Sequence, residues 1–176
     1  MYLDCKQHAF TLIELLIIVV IISIIALIAI PNFHSFREQQ EVSQLHSLIR
    51  QHVQLAKNTA KVYQTRVVIC SSYNMTQCEN DQWNIGILVF SDLNRNKTID
   101  AGEQVHQTTE THFKYGSLRW DGGASSPKMI TFQGDTGLPR GSPGSYYYCS
   151  FKNKDNHRRI PVSPMGNTRL ENISTC

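Results

Sequence analysis

Four groups of residues have the types and spacing to do chemistry. The first is a single carboxylate, Glu14, inside an apolar run from Leu12 to Ile30 that is otherwise interrupted only by Ser23. A lone carboxylate left unpaired in lipid is costly, so it stands there by design or by accident, and the surrounding pattern argues for design. The second group is Asp92, Asn94, Asn96, Asp100 and Glu103. These put oxygens at positions one, three, five, nine and twelve of an EF-hand-type calcium loop, with Ile99 as the aliphatic residue at eight. The glycine of position six is replaced by Lys97, which would need a positive φ and brings a cation near the ion. The bland alternative, a polar hairpin whose Asp and Asn side chains bond their own backbone, is the favoured reading.

The third group is cationic: His157, Arg158 and Arg159, then Arg169, with Lys152 and Lys154 close in sequence. Such a cluster can hold phosphates, although one or two contacts give only weak, salt-sensitive binding. Tyr146, Tyr147 and Tyr148 offer rings for base stacking, but strand alternation sends at least one of them into the core. The fourth group is Cys70, Cys78, Cys149 and Cys176. An even set beyond the apolar run points to disulfides in an oxidising compartment. Three pairings are open. Cys70 with Cys78 would close a short local loop, and Cys149 with Cys176 would pin the C-terminus. Metal ligation is disfavoured because the spacing is not C-x-x-C and no paired histidines flank it. There is no nucleophile elbow, phosphate-cradling glycine loop, zinc motif or spaced carboxylate pair, so an enzyme is not expected.

The elements that must position these groups follow from patterning. The chain has 176 residues and a net charge of +3, with no long charge runs, repeats or low-complexity tracts. The apolar run is about 20 residues, enough for a helix to span a bilayer. A cleaved secretory signal would carry positive charge first and a small-residue cut site after the run, and Ile28-Ala29-Ile30-Pro31 offers none. Beyond Pro31 the helix is expected to continue. Val42, Leu45, Ile49, Val53, Ala56 and Ala60 form a stripe at three- and four-residue intervals, widened by Leu48 and Leu55. Gln39, Gln40, Glu41, Gln44, Gln51 and Lys57 fall largely on the other side. His34, His46 and His52 read as solvated or boundary residues, and His46 and His52 are too far apart in register for one helical metal site. After residue 60 short β-prone runs follow at 62–71, 85–90, 104–109, 113–120, 129–132, 146–152, 159–162 and near 168–170, with turn clusters at 121–123 and 138–144. The fold class is α+β: one long N-terminal helix, transmembrane then amphipathic, packed on a β-rich head.

The polar leader ending in Ala9, then Phe10 and Thr11-Leu12-Ile13-Glu14-Leu15-Leu16, resembles the type III signal of type IV pilins and pseudopilins. The resemblance implies that a prepilin peptidase cuts between Ala9 and Phe10 and methylates the new amino group, leaving 176 − 9 = 167 residues and removing Cys5. Glu14 would then neutralise the amino terminus of a neighbouring subunit, and Pro31 would kink the stem. Ala9 stands where Gly is the common choice. The implied organisation is a leader at 1–9, methylation motif and transmembrane stem at 10–31, amphipathic half of the stem at 32–60, and a periplasmic head at 61–176. In the head, Trp83-Asn84-Ile85-Gly86-Ile87-Leu88-Val89-Phe90, Asp92-Leu93-Asn94-Arg95-Asn96, Asp100-Ala101-Gly102-Glu103, Ile130-Thr131-Phe132-Gln133-Gly134-Asp135-Thr136-Gly137 and Gly166 are similar to the H-type pseudopilins and FimT/FimU minor pilins.

That likeness implies a minor pilin that starts or caps a pilus, held in the inner membrane by a single pass with its head in the periplasm. Its partners would be other minor pilins and the major pilin, the prepilin peptidase and membrane lipid. No cofactor is expected, calcium being the alternative. Two other functions compete: the H subunit of a type II secretion system, and a DNA-binding minor pilin for natural transformation acting through Arg158, Arg159 and Arg169. In the DNA-binding branch the C-terminal motif is Gly-Arg-x-Arg. Here Gly166-Asn167-Thr168-Arg169 lacks the first arginine.

Overall fold

The computed structural model describes residues 11–123 and 127–176, except for the side chains at 28–32 and 34. Among the described residues α1, Leu12–Tyr63, comes first and is followed by eight strands. These are β1 (Arg66–Ser71), β2 (Gly86–Asp92), β3 (Val105–Glu110), β4 (Gly116–Gly122), β5 (Ile130–Phe132), β6 (Gly144–Ser150), β7 (Arg158–Val162) and β8 (Glu171–Asn172), with a single 3₁₀ turn between β6 and β7 at Lys154–Asn156. The chain falls into two compact units, Met1–Glu38 and Gln39–Cys176. From Gln39 onward α1 therefore groups with the strands and forms one body with them.

In the N-terminal unit Thr11 caps the helix, its Oγ1 accepting from the Glu14 N–H at 3.3 Å. Ser23 turns its hydroxyl back to the Val19 carbonyl at 2.7 Å, so this polar side chain of the apolar run is satisfied within the helix. The Arg37 guanidinium lies over the Phe33 ring. The apolar side chains from Leu12 to Leu27 are mostly exposed on the isolated chain, Leu12 at 83% and Leu27 at 77%. Among the described residues no helix is long and apolar enough to cross a membrane. The described apolar side chains of the run stop at Leu27, and Ile28, Ala29 and Ile30 follow in the sequence.

In the second unit the strands form two antiparallel sheets, ordered β3-β2-β1-β5 and β4-β6-β7-β8. β1 and β2 are nearly continuous apolar runs because both faces of this pair are covered. Val67, Ile69, Ile87 and Val89 join the helix stripe of Val42, Leu45, Ile49, Val53, Ala56 and Ala60 in the main core. Trp83, Trp120, Tyr146, Tyr148 and Ile160 close that core from the second sheet and its approach. Val68, Cys70, Leu88 and Phe90 point the opposite way and bury a smaller cluster under Cys78, Ile99 and Met129. The stripe read from the sequence is thus the buried face of the helix.

Several boundaries differ from the sequence reading. Residues 62–63 remain helical and β1 starts only at Arg66, the first residue with a partner across the sheet, Asp92. Gly144, expected in a turn, opens β6 because its backbone pairs with both Gly122 and Val162. The last strand is Glu171–Asn172, paired with Arg159 and Arg158, and the expected 168–170 run contributes only a Val162–Thr168 bridge. His52 is not solvated. It is 1% exposed, and one neutral tautomer serves both its contacts: Nδ1–H donates to the Leu48 carbonyl at 2.7 Å and Nε2 accepts from Thr109 Oγ1 at 3.0 Å. Burial holds its pKa below the ordinary value of 6.5. His46 sits at the helix boundary as expected, and the His34 side chain lies outside the described residues.

Candidate functional site

The assembly residues lie at the start of the chain. Ala9 and Phe10 fall outside the described residues. Glu14 lies in the first turn of α1 and is exposed. The helix runs through Pro31, whose side chain is outside the described set, so the expected kink stays an expectation.

The four cysteines pair as Cys70–Cys78 and Cys149–Cys176. The first links the end of β1 to the loop that follows it, eight residues on. The second spans 27 residues and fastens the chain end to β6, where Cys176 also reaches the Tyr148 carbonyl.

The cationic tail is already engaged within the chain. Arg158 turns its guanidinium to the backbone carbonyls of Asp155 and His157. Arg159 donates to Ser145 Oγ at 2.9 Å and meets the Glu171 carboxylate at 3.5 Å, and Arg169 pairs with the other oxygen of that carboxylate. The sequence grouped these three arginines; the structure adds the acid that offsets two of them. Of the three tyrosines, Tyr146 and Tyr148 are core residues, and burial pushes the Tyr146 phenol well above its usual range. Tyr147 alone faces outward, with Arg119 over its ring at 4.8 Å and Arg159 at 5.9 Å. Arg119 comes from a strand whose register was invisible in the sequence: it lies opposite Tyr147 across β4 and β6.

The loop between β2 and β3 holds its polar side chains together. Asn94 and Asn96 both donate to Asp100, at 2.8 and 2.5 Å, and these bonds hold the Asp100 carboxyl below its ordinary pKa. Glu103 accepts from the N–H groups of Leu93 and Asp100. Asn94 and Asn96 each also accept from the N–H two residues on, the Asx-turn geometry expected of the hairpin reading. Lys97 does take the positive φ, 64°, that its position demands. Asp92 is buried at the end of β2, 4.0 Å from Arg66. Among the described residues no three His, Cys, Asp or Glu side chains gather closely enough to hold a metal ion.

Sequence reasoning misplaced Glu41. Assigned to the polar side of the helix, it is half-buried and its carboxylate accepts from the N–H groups of Lys114 and Tyr115, at 2.8 and 3.1 Å, and from the Tyr148 hydroxyl at 2.7 Å. The available signal was its spacing: Glu41, Leu45, Leu48, His52 and Leu55 recur every three or four residues along one face. Gly116 belongs to the same arrangement, since a Cβ there would stand 2.4 Å from the Tyr148 ring that reaches Glu41.

The comparisons with known proteins bear on the family and the fold. A family model described as Type II transport protein GspH matches residues 47–166, and one described as the prokaryotic N-terminal methylation motif matches residues 4–30. The type IV minor pilin FimU of Pseudomonas aeruginosa strain PAO1 is similar in fold, at 17% identity and a TM-score of 0.56 over 77% of this chain and 92% of that one. A second crystal form of FimU gives 16% identity and a TM-score of 0.50 over 76% and 91%. The minor pseudopilin EpsH from the type 2 secretion system of Vibrio cholerae matches at 13% identity and a TM-score of 0.49, over 74% and 94%. No curated protein matches the chain. A GspH-type head that covers more than half of the chain, behind an N-terminal methylation motif, places this protein in the GspH family of pilin-like proteins.

Proposed function

We propose that the chain is a minor, non-catalytic subunit of a type IV pilus that acts in starting or capping the filament. The observation that carries this is the order of its parts: a methylation motif over residues 4–30, then a GspH-type head over residues 47–166. A prepilin peptidase cuts between Ala9 and Phe10, and the mature stem lies in the inner membrane as a single pass with the head in the periplasm. The two disulfides support that oxidising compartment. Glu14, exposed on the free chain, meets the amino terminus of a neighbouring subunit, where each charge removes the other's desolvation penalty. The exposed apolar side chains around it supply lateral packing. No cofactor is invoked, and the internal hydrogen bonds of the 92–103 loop favour the hairpin over the calcium reading.

A second reading, the H subunit of a type II secretion system, is favoured by the description of the matching family model. Capture of DNA by Arg158, Arg159 and Arg169 is less well supported, because Glu171 and backbone carbonyls occupy their donors. A deletion strain complemented with wild type or Glu14→Ala separates the three. Surface pili lost on deletion, restored by wild type but not by Glu14→Ala, support the minor pilin. Normal pili with failed secretion move the protein to the secretion system. Both normal, with transformation lost, return attention to the basic tail.

A further inference from the structure

A polar cavity of about 800 Å³ opens where the end of α1 meets the start of β1, and Arg66 and Gln133 of its wall also line a second cavity of about 200 Å³. Together they form one groove. Lys61 and Arg95 stand along the larger part, Arg66 in the middle, and Lys97 and Arg140 along the smaller. Among the lining residues two acids oppose these five cations, Asp92 and Asp135. Asp92 is buried with Arg66 as its neighbour at 4.0 Å, so the acid and that guanidinium offset each other in part and the other four cations carry the groove's excess charge. Among the described residues the smaller cavity is lined by cations, a glutamine, a glycine and the hydroxyls of Thr131 and Ser142, without an acid.

The backbone here is also unusual. Gln64, Arg95 and Lys97 take φ of 49°, 66° and 64°, left-handed values that side-chain-bearing residues avoid, and each lines this groove. Gly134 lets its wall close, since a Cβ there would lie 2.6 Å from the Gln64 and Thr65 backbone. Strained backbone persists only where the surrounding structure holds it in place. Arg95 and Lys97, two residues apart in the loop between β2 and β3, line the larger and the smaller part of the groove.

We propose that this groove binds an acidic peptide segment of a neighbouring subunit, its carboxylates set against Arg66, Arg95, Lys97 and Arg140. Guanidinium groups bind carboxylates in a bidentate fashion, and a row of them reads a row of acids along an extended chain. Single-stranded nucleic acid is the lesser match, because among the described residues no aromatic ring lines either cavity to stack a base. The identity of the partner rests on the filament reading; the chemistry of the groove does not.

The test uses the detergent-solubilised full chain and a fluorescein-labelled hexaglutamate peptide, read by anisotropy. Salt-sensitive binding is expected, weakened about tenfold or more by Arg95→Glu/Arg140→Glu. Arg95→Lys/Arg140→Lys, which keeps the charges but loses the paired donors, should weaken it less than the charge reversal does. Lys114→Glu/Arg119→Glu changes net charge equally, at exposed positions on the approach to β4 and within it, and should leave binding within about twofold. Absence of binding, or equal loss in both reversal variants, overturns the groove as a site. Tighter binding of a labelled DNA strand, lost in Arg95→Glu/Arg140→Glu, overturns the peptide in favour of nucleic acid. In the deletion strain, full restoration of filaments by Arg95→Glu/Arg140→Glu overturns the groove's part in assembly and leaves the filament reading intact. A deletion with normal pili and secretion overturns the neighbouring-subunit partner while leaving the peptide binding measured in vitro.

Discussion

At the scale of single residues, buried polar groups on α1 decide how the helix is held to the sheets. The Glu41 carboxylate ties together the approach to β4 and the Tyr148 phenol. Removing it strands two N–H groups and a hydroxyl. Glu41→Ala should therefore cost about 2–3 kcal/mol, and Glu41→Gln less, because an acceptor oxygen remains; urea unfolding of the two variants measures the difference. His52 gives a pH dependence whose sign is fixed by its burial. Its folded-state pKa is lowered from 6.5 by desolvation, the Leu48 hydrogen bond only partly opposing this. The unfolded chain thus binds the proton more readily, so the neutral ring's stability is fully present above pH 6.5 and is lost as pH falls toward the lowered folded value. His46 and His106 are shifted the same way by burial. The melting temperature should be flat at about pH 7–8 and decline below about pH 6.5, with a shallower decline in His52→Gln.

At the scale of elements, pairing partners set the limits that propensity could not. Val62 and Tyr63 have strong β preferences, yet they end the helix because no strand lies opposite them and the first pairing is Arg66 with Asp92. The two disulfides act on elements of different reach. Chain-entropy arguments give about 2.5 kcal/mol for the eight-residue closure and about 3.5 kcal/mol for the 27-residue closure. Replacing Cys149 and Cys176 by Ser should thus lower stability by about 1 kcal/mol more than replacing Cys70 and Cys78. It should also raise hydrogen exchange through β8, a two-residue strand that pairs with β7 at Arg158 and Arg159. Equal losses would mean that the C-terminal segment is fixed by its own packing.

At the scale of the whole molecule, the division falls within α1, after Glu38. Everything the head needs for its core begins at Val42, so a chain starting at Gln39 should be soluble and unfold cooperatively, with near-UV dichroism from Trp83 and Trp120. A chain starting after Tyr63 would lose six core side chains of the helix stripe and should collapse or aggregate. Failure of the Gln39 chain to fold would mean that the first unit contributes to the head's stability.

The sequence by itself determined the parts that rest on local pattern. The apolar run with Glu14, the stripe from Val42 to Ala60, the strands around 66–71 and 86–92, and the even set of cysteines were all legible, because burial imposes periods of 3.6 and 2 on neighbouring residues. The tertiary structure alone decided what depends on residues distant in sequence. It chose the cysteine pairing, drew Glu41 and His52 inward to partners 73 and 57 residues away, and set Glu171 between Arg159 and Arg169. It also gathered Lys61, Arg66, Arg95, Lys97 and Arg140 around one groove from four separate segments. Strand register fixes such neighbours, and register follows from the packing of both sheets on the helix, which no local run of residues encodes.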